Sequence, residues 1–203
     1  MATLPIVTQS TVRLIRRIQA ITITWMTIEA LLSLWSAWKA DSPAMVAFGG
    51  DSAIELLSAV VVLWRFRHRA SEDAEKRAAR IAGGLLFVLA ACVILVSAMS
   101  LAGYSEPKPS YMGIAVLAMA ALIMPWLARE KRRLSAATGS AALRADAAES
   151  TICFYLSIIA LAGLAAHAFF HMRWADPVAA LAIIPFIVFE GREAIRGRAC
   201  GCC

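Results

Sequence analysis

The stretch "FGGDSAIELLSAVVVLW", Phe48 to Trp64, is almost wholly apolar or small, yet it contains Asp51 and Glu55. At i and i+4 the two acids project from one face of a helix, and Ser58 continues that face. In water such a pair is ordinary. At membrane depth each ionised side chain costs about 2.5–3.5 kcal/mol on insertion scales, so packing partners or an ion must compensate it. Composition decides which solvent applies. Of 203 residues, 61% are apolar or aromatic and 17% charged, and mean hydropathy is +0.71. Soluble domains run at roughly 45–50% apolar. The chain is therefore expected to be an integral membrane protein.

Six apolar runs follow: Ile18–Trp38, Met45–Trp64, Ile81–Gly103, Tyr111–Ala128, about Leu143–Phe170, and Ala175–Glu190. A membrane helix needs roughly 17–25 residues. The first four runs fit. The fifth exceeds that length, so its polar start is expected to project into the interface. The sixth is short, and Pro185 is expected to kink it. None alternates as barrel strands must. The expected fold is an all-α membrane protein with six transmembrane helices. The expected division is an amino-terminal cytoplasmic segment at 1–17, a transport unit at 18–190 and a cysteine-rich cytoplasmic tail at 191–203.

Orientation follows from basic residues. With both termini cytoplasmic, all but three of the 20 lysines and arginines face inward; the exceptions are Lys39, Lys108 and Arg173. This predicts both termini inside, in an inner or plasma membrane. Trp35, Trp38 and Trp174 fall at the outer level, and Trp64 and Trp126 at the inner level. The pI near 9.4 is then a consequence of topology and gives no reason to invoke nucleic acid. The first run is span-length and lacks a convincing small-residue cleavage site, so no cleavable signal is expected.

The fifth run holds a counterpart to the acids in "LRADAAESTICFYLS". Asp146, Glu149 and Cys153 stand at i, i+3 and i+7, again on one face. If helices two and five pack antiparallel, Asp51 pairs in level with Cys153, and Glu55 with Glu149, around one ion. Carboxylates with a thiol suit zinc and disfavour magnesium and calcium. Four anionic ligands exceed the charge of one divalent ion, so protons compete with metal for the same atoms. Metal–proton exchange is the expected chemistry.

Structural readings stand beside each of these. Asp51 and Glu55 could be a hydrogen-bonded pair that joins helices. Asp146, beside Arg144, could be a surface ion pair, and Glu29 a cap or a support for the site. Cys92 reads as an apolar filler. His167 and His171, in "HAFFH", have metal-compatible spacing and suggest an outer access site or simple interface residues. Cys200, Cys202 and Cys203 in "CGCC" read as a soft-metal capture point, a lipidated tail or an unstructured end. Gly83, Gly84, Ala90 and Ala91 would permit close helix contact and could form part of a dimer face.

Together these motifs resemble the cation diffusion facilitators, or cation efflux proteins. "DSAIELLS" occupies the place of that family's helix-two metal pair. "ADAAESTICFYLS" puts Glu149 and Cys153 on its helix-five pair. "WADPVAAL", Trp174 to Leu181, matches the Trp-x-Asp-Pro opening of its sixth helix. The resemblance implies a homodimer that exports divalent cations, commonly zinc, in exchange for protons by alternating access, without a resident cofactor. Two features depart from the family pattern. The helix-five pair is Glu and Cys where His or Asp is usual, which leaves Cd2+, Co2+, Mn2+ and Fe2+ beside Zn2+. The usual carboxyl-terminal cytoplasmic domain is not expected here, so the chain looks like a short branch.

A second reading is a membrane metal-binding or accessory protein that moves nothing and works through the thiol tail. No nucleophile–base set or phosphate-binding glycine loop favours an enzyme. If the tail senses metal, deleting residues 198–203 will shift the metal concentration for half-maximal transport in vesicles; an unchanged curve would reject that role.

Overall fold

The computed structural model describes residues 9–68, 72–138 and 141–196. Among them six helices succeed one another: α1 (Gln9–Ala40), α2 (Pro43–His68), α3 (Glu72–Leu101), α4 (Tyr111–Thr138), α5 (Ala141–Phe170) and α6 (Ala175–Arg196). The side chains of Ser58 and Trp64, and all of the tail from residue 197 with Cys200, Cys202 and Cys203, lie outside the described residues. α1, α3, α4 and α5 are each long and apolar enough to cross a bilayer. α2 carries Asp51 and Glu55, and α6 carries Asp176, Glu190, Arg192 and Glu193. Neither reaches the same measure over the described residues.

Polarity is distributed as lipid demands. Leu31, Ile81, Val88, Leu95, Leu122 and Phe189 are exposed on the flanks, while Thr22, Glu29, Ser33, Asp51, Ser52, Ser97 and Lys131 are buried. In lipid an outward apolar side chain costs nothing, whereas an unpartnered polar one costs several kcal/mol. The chain is an integral, multi-pass membrane protein. The buried Thr22 hydroxyl is satisfied locally, donating to the Ile18 carbonyl one turn back.

α2 is the centre of the bundle, touching α1, α3, α5 and α6. α4 lies along α5, and α3 along α6. Small residues set the closest approaches. A Cβ on Gly163 would overlap the Ala179 Cβ, and one on Gly83 would fall 2.7 Å from the Gly191 carbonyl oxygen. Gly83 therefore serves packing of α3 on α6 within the chain, unlike the dimer face anticipated for it. Gly84 has nothing within 4 Å, Ala90 is buried, and Ala91 is exposed.

The ends of the helices explain several sequence signals. α1 closes with Asp41 at φ 51°, and the Ser42 amide donates to the Ala37 carbonyl at 3.2 Å, a Schellman ending. α3 closes the same way, with Gly103 at φ 82° and a 3.0 Å bond from the Tyr104 amide to the Met99 carbonyl. At the start of α2 the Met45 amide donates to the Ser42 hydroxyl, and the Ala44 amide to Asp176 Oδ1 at 2.9 Å. Asp176 thus fills a free donor of α2 from the first turn of α6. The Asp of the "WADP" stretch ties those two helices together.

Helix limits differ from the apolar runs. α1 begins at Gln9 and α6 runs through Pro185 to Arg196. Proline removes one backbone donor but leaves the helix on both sides, and bundle contacts hold it. Glu190, which sequence hydropathy puts at the end of a span, therefore lies inside a helix. We expect Asp176→Ala to lower stability by about 1–2 kcal/mol, the cost of losing a helix cap. Asp176→Asn, which keeps the acceptor, should stay closer to the parent in a thermal melt of the purified protein.

Candidate metal centre

On α2, Asp51 is fully buried and Glu55 is nearly so. The i, i+4 spacing turns both inward at the centre of the bundle, where α6 supplies a third carboxylate, Glu190. One ligand oxygen from each of Asp51, Glu55 and Glu190 lies within 4.8 Å of the other two. Both oxygens of Asp51, Oε1 of Glu55 and Oε1 of Glu190 are buried without a hydrogen-bond partner. Asp51 and Glu190 approach closely enough to share a hydrogen bond if one of them carries a proton. As two carboxylates they have only acceptors to offer each other.

Metal–oxygen bonds of about 2.1 Å put tetrahedral ligands roughly 3.4 Å apart. An oxygen set no wider than 4.8 Å closes around a cation by side-chain rotation of about an ångström. Three ionised carboxylates also carry one more charge than a divalent ion cancels. The site is thus chemically suited to a cation, or to protons in its place.

The helix-five residues are divided. Cys153 is fully buried and its thiol lies 3.6 Å from Glu29 Oε1, on the α1 side of the site. Ser52 donates to the same oxygen at 2.8 Å, and the Trp25 indole donates to Glu29 Oε2 at 2.6 Å. Glu29 is therefore a buried support joining α1, α2 and α5. The thiol's partner is Glu29, where helix packing alone suggested Asp51. Glu149 is partly buried and lies within electrostatic reach of Asp51, Glu55 and Glu190, outside the tight trio.

Asp146 stands apart from the trio. Lys131 reaches its Oδ1 at 2.7 Å, and Gln19 its Oδ2 at 2.6 Å. Lys131, itself buried, also donates to Ser150 at 2.8 Å. The ion pair weighed at the sequence level exists, but with Lys131 of α4 and not with the exposed Arg144. Burial selects the lysine: its ammonium is taken out of the apolar surroundings by Asp146 and Ser150 together.

The histidines are separated. His167 is buried in the last turn of α5, with Nδ1 unpartnered. α5 stops at Phe170, and His171 takes a left-handed conformation with φ 57° and is exposed. The i, i+4 rule applies only while the helix continues, so the two rings do not share a face. Cys92 is exposed on α3.

Sequence reading missed Glu190. Its signal was present: an acid closing "AIIPFIVFE", followed by Gly191 and Arg192. Taking it as the end of a span hid it, because hydropathy alone does not tell an interfacial acid from one in the next helical turn.

No curated protein matches this chain. Residues 20–198 match the cation efflux transmembrane domain. That match takes in α2, α5 and α6, which carry Asp51, Glu55, Glu149, Cys153 and Glu190. The chain belongs to the cation efflux family of metal-cation transporters.

Proposed function

We propose that the protein exports divalent metal cations from the cytoplasm, zinc foremost, in exchange for protons by alternating access. In this reading all six helices span the bilayer, both termini are cytoplasmic, and two copies form a homodimer. The observation that carries it is Asp51: a fully buried carboxylate with no donor to either oxygen, facing two further acids. Three uncompensated acids at membrane depth would cost roughly 8–10 kcal/mol on insertion scales. A cation removes that cost, and so do protons. Occupancy by one therefore drives out the other, which is the coupling an antiporter requires.

The helices divide the work. Glu149 and the Lys131–Asp146 pair lie toward the amino-terminal end of α5, the end assigned to the cytoplasm, so Glu149 is the first carboxylate a cytoplasmic ion meets. Asp51 lies deeper, about 12 Å along α2 from Pro43 at 1.5 Å per residue. Cys153, held by Glu29, is a sulfur donor poised beside the trio. Zn2+ is the foremost candidate, with Cd2+, Co2+, Mn2+ and Fe2+ as competitors. Release outward follows when α2 and α6 tilt and protons replace the ion.

Two measurements test this. In liposomes with an internal pH dye, Asp51→Asn and Glu55→Gln should each lower Zn2+-driven proton flux at least 10-fold while the protein still folds. Wild-type flux in either variant would refute the site, and metal binding without flux in the parent would favour the non-transporting reading. Lowering pH protonates carboxylates and removes ligand charge, so Zn2+ affinity in detergent should fall steadily as pH drops. An affinity independent of pH would exclude exchange at these atoms.

A further inference from the structure

Glu190 belongs to a helix that the sequence motifs did not connect with metal. Its carboxylate meets Asp51 and Glu55 at no more than 4.8 Å, and its Oε1 is buried with no donor. The basic residue paired on the same helix, Arg196, goes to Glu193 at 3.6 Å. One residue on, Gly191 lies against Gly83 of α3: a Cβ there would come within 3.3 Å of the Gly83 carbonyl oxygen and 3.2 Å of the Phe87 ring. This crossing seats α6 directly on α3, one residue beyond Glu190. It fixes Glu190 on the side of α6 that faces α2, beside the wholly buried and donorless Asp51.

We propose that Glu190 is a third carboxylate ligand for the cation, completing with Asp51 and Glu55 an all-oxygen centre that joins α2 to α6. Cys153 remains on Glu29 in this arrangement. The proposal rests on the metal-transport reading of Asp51 and Glu55 and adds to it a ligand and a preference. A purely oxygen donor set accepts hard divalent ions such as Mn2+ and gives a thiophilic ion such as Cd2+ no advantage. An ion that bridges α2 and α6 also couples the two helices directly, so filling the centre resists their separation.

The test uses the full-length protein in nanodiscs and Mn2+ alone, which the tail thiols bind poorly. Free Mn2+ is followed by its electron paramagnetic resonance signal, and thermal melting is recorded with and without the ion. Wild type should bind Mn2+ and gain stability from it. Glu190→Gln, equal in shape, should raise the Kd at least 10-fold and lose the Mn2+-induced rise in Tm. Without metal it should melt no lower than wild type, because a buried charge has been removed. Glu190→Asp should recover part of the affinity. A Glu190→Gln Kd within two-fold of wild type, with Asp51→Asn binding abolished, would overturn the role of Glu190 and leave the transport reading intact. Failure of wild type to bind Mn2+ while it binds Zn2+ would overturn the all-oxygen centre. Failure to bind any divalent ion would remove the transport reading itself. A fall in the metal-free Tm of Glu190→Gln with unchanged Kd would show a packing role and also overturn the proposal.

Discussion

Negative charge without a partner, held at the middle of an apolar bundle, is the constraint around which this protein is organised. Asp51 has no donor for either oxygen and no exposed surface. Nothing about helix packing requires an acid there, and a smaller neutral residue would fit α2 at no electrostatic cost. Its place beside Glu55 and Glu190 makes sense when a mobile positive charge completes the set. The same bundle shows how it treats acids that serve structure. Glu29 receives an indole, a hydroxyl and a thiol. Asp146 receives an ammonium and an amide. Asp176 receives a backbone amide. The contrast separates scaffold from site more clearly than burial does.

Those satisfied acids also hold the centre in place. Glu29 links α1 to α2 through Ser52 and to α5 through Cys153. The Lys131, Asp146 and Gln19 network joins α4, α5 and α1. Asp176 ties α6 to the start of α2, and the Gly83–Gly191 approach holds α6 to α3. Each element that brings a carboxylate to the centre is fastened elsewhere by a partnered polar group or a glycine contact. A transporter needs such fastenings to be individually modest, so that helices can regroup when the central charge changes. Interhelical polar contacts in membranes are on that scale, about 0.6–2 kcal/mol each.

Much of this was legible in the residues. Long apolar runs gave the helices, since a membrane helix satisfies its own backbone and leaves a plain signal. The i, i+4 spacing of Asp51 and Glu55 correctly put them on one inward face. Partners across helices were less legible. Which carboxylate meets Cys153 depends on helix rotation and tilt, and Glu29 wins over Asp51 because α1, packed on α2 and α4, carries Glu29 to the thiol. Lys131 and not Arg144 neutralises Asp146 for the same reason. Glu190 was hidden because α6 continues past its apolar run to Arg196, an extension packed against Gly83 of α3. The His167 and His171 spacing misled because α5 ends between them.

The most direct test is the position of the ion itself. A structure of the full chain in lipid, loaded with Zn2+ and measured with X-rays on both sides of the zinc absorption edge, locates metal without reference to side-chain fitting. An anomalous peak between Asp51, Glu55 and Glu190 is the expected result. A peak at the histidines or at the tail alone, with the central carboxylates unchanged, would contradict a cation as the missing partner of the buried charge.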